Sequence, residues 1–334
     1  MKFLRYILFP VVPIYYLVTW TRNKLYDFGW KKSESYNFPL ICVGNLSVGG
    51  TGKSPMIEYL IRLLKADYKI ATLSRGYKRE TNGFKLANVS DTAKTLGDEP
   101  FQFYNKFGSD ILVAVDADRQ NGIEKLRNLG NKPEVVLLDD AFQHRKVKAG
   151  FNILLSTYND LYCKDFVLPT GNLREPKSGA KRANIIVVTK CPENLSDEEK
   201  AQIKKQLNPE IYQMVVFSSI NYSKNVFSKT KQIGLNHLKP FTLVTGIANP
   251  NPLIQYLKSN NLEFEHLNFK DHHSFSNKEI DELAQLDCIL TTEKDYMRLK
   301  DETKLQEKLY YLPIEVSIDQ ADVFNNQILS FVSS

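Results

Sequence analysis

The composition is that of an ordinary globular protein: 334 residues, 43% hydrophobic and 25% charged, with a formal net charge of +6. These values exclude a mainly disordered chain and leave room for two domains. The basic residues are spread out without a long Lys/Arg block, so they indicate no nucleic-acid partner and fit contact with an anionic lipid surface at least as well. Four widely separated cysteines without a CxxC pair predict reduced thiols, and neither a zinc site nor a disulfide framework.

The N-terminal segment is the first predicted element. Tyr6 to Trp20 is almost entirely apolar, and basic residues flank it on both sides. Its run of about 15 residues, interrupted by Pro10 and Pro13, is shorter than the roughly 20 residues that span a bilayer. We therefore expect residues 1–28 to form a membrane-associating helix that dips into one leaflet. A secretory signal peptide and a helix packed on the protein's own core are the alternatives.

A predicted strand over residues 38–43 then runs into the glycine-rich segment VGNLSVGGTGKSP. Such a turn exposes successive backbone N–H groups to one anion, and a helix beginning at Lys53 adds its positive end. The pattern resembles a P-loop, although Ser47 stands at the first glycine position. Lys53 would bridge the outer phosphates of a nucleoside triphosphate, and Ser54 would ligate magnesium, a pair for which a dinucleotide site has no use. The expected nucleotide-binding residues of this segment are Ser47, Val48, Gly49, Gly50, Thr51, Gly52, Lys53 and Ser54.

The rest of the chain alternates apolar runs with helix-compatible stretches. Buried strands are predicted at residues 69–73, 111–115, 135–138, 153–155 and 185–188. This alternation predicts an α/β fold in which a mostly parallel, P-loop kinase-like sheet carries helices on both faces. Further strands at 213–218, 241–245 and 288–292 predict a second, smaller α/β domain. The expected division is a membrane-associating segment over 1–28, a P-loop kinase core over 29–214 and a C-terminal domain over 215–334.

Two acids follow the predicted strand Val135–Leu138. Asp139 and Asp140 would lie beside the P-loop, where a carboxylate at the end of a neighbouring strand holds magnesium directly or through water. On its own, a hydrophobic strand that ends in two aspartates is equally consistent with a simple turn. Gln143 and His144 come next, at the edge where α/β sheets place their ligands, so a nucleotide or substrate contact is expected.

Three more segments combine turn residues with polar groups: SRGY at 74–77, GDEP at 97–100 and GNLREP at 171–176. An arginine at the carboxyl end of a strand beside a phosphate loop is a charge partner for a transferring phosphoryl group or an anionic substrate. Phosphoryl transfer to an alcohol also needs a base for the hydroxyl. Asp98 and the segment Asp271-His272-His273 are the candidates, because a carboxylate makes a neighbouring imidazole more basic.

As a set, these motifs resemble one family. The apolar N-terminus, GNLSVGGTGKSP, SRGY, GDEP, the Asp-Asp pair followed by Gln-His, GNLREP, VTKCP, GIANP, DHHSF and TTEKD are similar to tetraacyldisaccharide 4'-kinase, the lipid A 4'-kinase of Gram-negative envelope synthesis. The resemblance runs from the first residues to about Arg298. It implies transfer of the ATP γ-phosphate to the 4'-hydroxyl of a tetraacylated glucosamine disaccharide 1-phosphate, which forms lipid IV(A).

The resemblance also implies the cofactors ATP and Mg²⁺ and a peripheral or monotopic position at the cytoplasmic face of the inner membrane. A substrate with four acyl chains stays in the bilayer, so its kinase must work at the interface. By position in the matching motifs, the implied catalytic residues are Asp98, His272 and Lys53, and the implied metal ligands are Ser54, Asp139 and Asp140. Gln143 and His144 would contact the nucleotide, and the implied substrate contacts are Arg75, Tyr77, Arg119, Arg174 and Glu175.

Two other functions fit parts of the pattern. One is a P-loop kinase or GTPase that acts on a soluble partner, with the apolar N-terminus packed on the core. The other is a nucleotide-gated, membrane-associated binding protein without catalytic activity, in which Asp98 and His272 would be dispensable.

Overall fold

The computed structural model describes residues 7–271 and 273–334, so His272, one of the predicted catalytic residues, lies outside the described residues. The strands in chain order are Glu34–Ser35 (β1), Leu40–Asn45 (β2), Ile70–Ser74 (β3), Lys85–Leu86 (β4), Leu112–Val115 (β5), Val135–Asp139 (β6), Val147–Lys148 (β7), Phe151–Thr157 (β8), Ile185–Thr189 (β9), Met214–Tyr222 (β10), Asn225–Phe227 (β11), Gln232–Gly234 (β12), Phe241–Thr245 (β13), Phe264–Asn268 (β14), Ile289–Thr292 (β15), Leu309–Leu312 (β16) and Ile314–Ile318 (β17). The α-helices are Val12–Asp27 (α1), Lys53–Leu64 (α2), Ala93–Leu96 (α3), Asp98–Phe107 (α4), Arg119–Arg127 (α5), Asp197–Leu207 (α6), Asn251–Ser259 (α7), Asn277–Leu283 (α8), Glu293–Leu299 (α9) and Ala321–Ser333 (α10).

A nine-stranded sheet, the larger sheet, has the order β17-β10-β9-β8-β2-β6-β3-β5-β4. All neighbours from β10 to β5 pair in parallel, and β17 and β4 add antiparallel edges. The P-loop strand β2 lies between β6 and β8, and the connection from β2 to β3 passes over β6. The carboxyl end of β2 is therefore a switch point of the kind where α/β sheets bind ligands.

The central strands of the larger sheet are apolar on both faces because helices cover both. In β2, Leu40 and Cys42 face one hydrophobic core, whereas Ile41 and Val43 face the other. Helices α2, α4 and α10 contribute to the second core, and α5 and α6 contribute to the first. The predicted α/β class, with a mostly parallel sheet and helices on both faces, is confirmed.

A six-stranded sheet, the smaller sheet, has the order β12-β11-β16-β15-β13-β14. Four of its strands, from β16 to β14, are parallel, and β11 and β12 form an antiparallel hairpin at one edge. Helix α7 covers one face, whereas α8 and α9 lie on the other. This is the second, smaller α/β unit.

The two sheets do not divide at residues 214 and 215, where the sequence pattern placed the domain boundary. Strand β10 pairs with β9 in the larger sheet, and β17 returns from the far end of the chain to pair with β10. Residues 225–312 alone build the smaller sheet. A long apolar strand gives no local signal of which sheet it joins, because pairing is a tertiary choice.

The N-terminal helix α1 follows a 3₁₀ turn over Phe9–Val11. The carboxyl ends of the parallel strands form the ligand edge of the larger sheet. The inner face of α1, with Tyr15 and Asn23, contacts this ligand edge. Ile14, Leu17 and other apolar side chains of α1 are exposed. No helix among residues 7–271 and 273–334 combines the length and apolar character that crossing a bilayer requires. The predicted N-terminal helix is present over Val12–Asp27.

Candidate active site

The glycine-rich segment forms a turn between β2 and α2. Gly49 and Gly52 have φ values of 110° and 90°, a conformation that residues with a β-carbon rarely adopt. The turn is held in place because Val48 N donates to Asn172 O at 2.8 Å. Helix α2 begins at Lys53, directly after Gly52, so its free N–H groups face the turn. The segment is thus a strand–turn–helix P-loop suited to an anion.

The second acid after β6, Asp140, links the P-loop to a more distant loop. Lys53 Nζ lies 3.6 Å from Asp140 Oδ1, and Arg174 Nη1 donates to both oxygens of the same carboxylate at 3.0 Å. Burial alone would raise the pKa of Asp140, but Lys53 and Arg174 hold it below its usual value. Asp140 is therefore ionised, and three residues from separate segments meet at this point.

The first acid, Asp139, has a different environment. The Ser74 hydroxyl donates to Oδ2 at 3.2 Å, whereas Oδ1 is buried and has no hydrogen-bond partner among the described residues. Burial raises the pKa of Asp139 to about 6. A buried carboxylate oxygen without a donor, next to a second carboxylate, is an environment that a hard divalent cation would stabilise.

The donor set for such a cation is small. Ser54 is buried at the start of α2. Its hydroxyl and the carboxylates of Asp139 and Asp140 are the oxygen donors that the sequence predicts for the cation. Within residues 7–271 and 273–334, no cluster of three or more His, Cys, Asp or Glu side chains is placed to hold a metal. The arrangement fits Mg²⁺, which is usually held by one or two carboxylates together with phosphate oxygens and water.

Glu175, the neighbour of Arg174, lies in a buried hydrogen-bond network. Its Oε1 accepts from Arg182 Nη2 at 2.7 Å and from Gln143 Nε2 at 3.0 Å. Its Oε2 accepts from Asn23 Nδ2 of α1 at 2.6 Å. Because Glu175 is only 2% exposed, its contacts in this structure are protein groups, and it ties helix α1 to the ligand edge.

Gln143 and His144 lie beside the P-loop strand, and their predicted contact with the nucleotide stays a prediction. Gln143 Nε2 donates to the carbonyl of Asn45, the last residue of β2, at 2.8 Å. Burial lowers the pKa of His144, with Arg119 as a further cause, so its imidazole is neutral at pH 7. Its Nε2 is buried without a hydrogen-bond partner among the described residues.

The remaining predicted substrate residues differ in exposure. Arg75 and Tyr77 follow β3 and are exposed, which suits contact with a ligand. Arg119 is 2% exposed, and its guanidinium donates to the backbone carbonyls of Asp116 and Asp139. In this structure Arg119 therefore supports the end of β6 from within the protein.

Asp98 begins helix α4, and its carboxylate accepts a hydrogen bond from Arg298 of α9. Arg298 also donates to Asp295, which in turn accepts from the backbone N–H of Gly246 at 2.9 Å. The GDEP, GIANP and TTEKD segments, far apart in sequence, thus meet between the two sheets. Burial alone would lower the pKa of Arg298. The carboxylates of Asp98, Asp295 and Asp271 outweigh burial and raise it. The predicted partnership of Asp98 with His272 stays a prediction, because His272 is outside the described residues.

Three contacts were not anticipated from the sequence: the Arg298–Asp98 pair and two contacts of the VTKCP segment. Thr189 Oγ1 donates to Thr51 O at 2.8 Å, and Lys190 Nζ donates to Gly50 O at 2.6 Å, so both support the P-loop. The available signal was that Thr189 ends a strand parallel to the P-loop strand, which places it at the same edge. The Arg298 pair carried no such signal because it joins two sheets.

This fold and this geometry define the class. A P-loop, an acid pair at the end of the adjacent strand and basic side chains at the same sheet edge are the parts of a P-loop phosphotransferase. A family profile described as tetraacyldisaccharide-1-P 4'-kinase matches residues 4–333.

Individual relatives agree with the profile. The tetraacyldisaccharide 4'-kinase of Flavobacterium johnsoniae is 53% identical over 338 residues, covering 99% of this chain and 98% of the relative. That of Bacteroides thetaiotaomicron is 44% identical, covering 97% and 92%. The crystal structure of LpxK from Aquifex aeolicus in complex with ATP superimposes with a TM-score of 0.79 at 29% identity, over 98% of this chain and 99% of that one. The chain belongs to the tetraacyldisaccharide 4'-kinase family, the kinases of lipid A biosynthesis, as its motifs predicted.

Proposed function

We propose that this protein transfers the γ-phosphate of ATP to the 4'-hydroxyl of tetraacyldisaccharide 1-phosphate to form lipid IV(A). The observation that carries the proposal is the meeting of Lys53, Asp140 and Arg174 at the P-loop, with Asp139 beside them. Kinase activity on this lipid is the activity after which the family is named. The ATP that accompanies the Aquifex aeolicus relative supports ATP as the phosphate donor.

The P-loop residues from Ser47 to Ser54 would wrap the triphosphate. Backbone N–H groups of the turn and the start of α2 would face the β- and γ-phosphates, and Lys53 would leave Asp140 to contact them. Ser54, Asp139 and Asp140 would hold Mg²⁺, which supplies positive charge to the phosphate oxygens when bound. Gln143 and His144 would lie near the nucleotide, with the neutral imidazole of His144 available as a donor or acceptor.

The acceptor hydroxyl would approach from the cleft between the sheets. Asp98 and His272 are the proposed pair that orients and deprotonates it. Arg298 holds the Asp98 carboxylate through a hydrogen bond. The exposed residues Arg75 and Tyr77, together with Arg174, would contact the anionic substrate. Arg119 and Glu175, both buried, would contribute to substrate binding by supporting this edge of the sheet.

The lipid substrate sets the position of the enzyme. Its four acyl chains remain in the bilayer, since each buried methylene contributes about 0.8 kcal/mol. Helix α1 and the preceding turn expose Ile7, Phe9, Ile14, Leu17 and Val18, each at least half exposed. We place this apolar face in one leaflet at the cytoplasmic face of the inner membrane, as a peripheral or monotopic contact. We propose no nucleic-acid partner.

The proposal is tested with labelled ATP and tetraacyldisaccharide 1-phosphate dispersed in detergent. The purified protein is expected to form lipid IV(A), and Lys53→Ala is expected to lower kcat/KM by about 10³-fold or more, because the charge that meets the γ-phosphate is lost. Lys65→Ala is the matched control. It removes a lysine after the last turn of the same helix, roughly 18 Å away, and should leave kcat/KM unchanged. GTP hydrolysis without lipid, or full activity of Lys53→Ala, would contradict the proposal.

A further inference from the structure

A second exposed aromatic lies beside the N-terminal helix. The Phe166 loop, residues 162–177, follows β8 and exposes Phe166 by 56%. The ring of Phe166 meets that of Phe9, itself 51% exposed, edge to face at a centroid distance of 6.4 Å. The apolar surface of the N-terminal segment therefore continues onto a loop more than 150 residues further along the chain.

Lysines flank this aromatic. Lys177 Nζ lies 5.8 Å from the Phe166 ring centroid and donates to Cys163 O at 2.6 Å. Lys164 is also exposed. The acidic residue of the loop, Asp165, accepts hydrogen bonds from Phe166 N and from Asn172 N and Nδ2, so its charge is taken up within the loop. An exposed ring with one ammonium group beside it and a second exposed lysine two residues earlier in the loop matches the chemistry of an anionic bilayer, whose headgroups attract lysine while the ring enters the acyl boundary.

Backbone hydrogen bonds connect Phe166 to the active-site segment. Leu173 N donates to Phe166 O at 2.9 Å, and Arg174 N donates to Leu46 O at 2.7 Å. A β-carbon at Gly171 would overlap the carbonyl oxygen of Phe166, so the two sides of the loop are in close contact. A constraint on Phe166 is thereby passed to Arg174, which contacts Asp140.

We propose that the Phe166 loop is a second lipid-contact element, in which Phe166 enters an anionic phospholipid surface and Lys164 and Lys177 bind its headgroups. With the N-terminal helix it gives the enzyme two points of contact and fixes the height of Arg174 above the bilayer. This inference rests on the proposed action at a membrane and adds a contact that the N-terminal helix does not provide.

The chain's two tryptophans, Trp20 and Trp30, allow a direct test. In a Trp20→Phe/Trp30→Phe background, Phe166→Trp places the single fluorophore on the loop. Vesicles of phosphatidylglycerol and phosphatidylethanolamine with brominated acyl chains should quench Trp at 166 at least twofold more than vesicles without bromine. Ile211→Trp in the same background is the control, because Ile211 is fully exposed but precedes β10, at the amino end of the parallel strands, whereas the Phe166 loop follows the carboxyl end of β8. It should not be quenched.

A second measurement tests the charges. Phe166→Asp, and Lys164→Gln with Lys177→Gln, should each weaken binding to anionic vesicles by roughly tenfold, and the lysine variant should lose most of the salt dependence. Kinase activity on detergent-dispersed lipid is measured for every variant and should be retained. Equal quenching at 166 and 211, or undiminished vesicle binding by both variants, overturns the second contact while leaving the kinase proposal intact. Failure of the unmutated protein to phosphorylate the detergent-dispersed lipid, with quenching at 166 retained, would instead count against the proposed function.

Discussion

Adjacent aspartates at the end of β6 differ in ionisation because their neighbours differ. Asp140 meets two cations, Lys53 and Arg174, which keep its pKa low against the effect of burial. For Asp139, burial dominates over the nearby charges, and its pKa rises to about 6. The Asp140 carboxylate is therefore stabilised by the protein itself, whereas the Asp139 carboxylate is costly to ionise until a cation reaches it.

This difference predicts opposite effects of two amide substitutions in protein freed of metal and nucleotide. The ordinary pKa of Asp139 is 3.8 and its folded value is about 6, so the folded chain binds the proton more tightly. Ionisation therefore lowers stability above pH 6, and this loss fades as the pH falls towards 3.8. Asp139→Asn should raise the free energy of unfolding at pH 8 by about 2–3 kcal/mol, with no gain near pH 4.

Urea denaturation in the presence of a chelator measures this effect at both pH values. Asp140→Asn is the matched control and should be less stable than the parent at pH 8, because Lys53 and Arg174 lose their shared partner. A stability loss in Asp139→Asn at pH 8 would show that its carboxylate already has a partner in the folded chain.

Helix α1 has two faces with separate tasks. Tyr15 donates to Arg174 O at 3.0 Å and Asn23 donates to Glu175, so one face is tied to the active-site loop. Ile14, Leu17 and Val18 follow helical spacing on the exposed face. One face of this helix is therefore packed on the core, and contact of the exposed face with lipid stays a prediction.

Two substitutions should separate these tasks. Asn23→Ala leaves the buried Glu175 carboxylate without one of its donors and should lower the free energy of unfolding by about 1–3 kcal/mol, with vesicle binding unchanged. Leu17→Asp, on the exposed face, should change stability by less than about 0.5 kcal/mol but weaken vesicle binding. Chemical denaturation and vesicle co-sedimentation of both variants check this. The same ranking of the two variants in both assays would contradict the division.

At the scale of the whole molecule, the two sheets share an interface that is both apolar and ionic. Leu96 and Phe101 of the larger-sheet unit belong to one hydrophobic cluster with Val244 and Ile289 of the smaller sheet. Lys106 Nζ lies 2.7 Å from both Glu58 Oε2 and Glu293 Oε1. Because Glu58 is on the P-loop helix and Glu293 begins α9, this lysine connects the nucleotide site to the second unit.

Removal of this lysine should be costly. Lys106→Met leaves two buried carboxylates, Glu58 and Glu293, facing each other without their shared cation, and should lower the free energy of unfolding at pH 7 by about 3–5 kcal/mol. Adding Glu293→Gln should recover part of the loss. Lys278→Met, at a highly exposed lysine paired with Glu282, should stay within about 0.5 kcal/mol of the parent. Equal denaturation midpoints for Lys106→Met and Lys278→Met would contradict this account.

Much of the fold was readable from local patterns. Buried strands that ended in glycines or acids predicted the P-loop at Lys53, the acids Asp139 and Asp140, and a common sheet edge for both. These features are local because a phosphate loop depends on nearby backbone conformation and a parallel strand on continuous apolar residues. The apolar character of the N-terminal segment was likewise evident from its composition.

The tertiary structure alone decided how distant segments pair. It placed β10 and β17 in the larger sheet, joined Asp98 to Arg298 across the two units and buried Glu175 against Asn23. It also gave the two neighbouring aspartates different pKa values. Each of these depends on which side chains meet after folding, and on the low-dielectric surroundings they then share, and a one-dimensional pattern records neither.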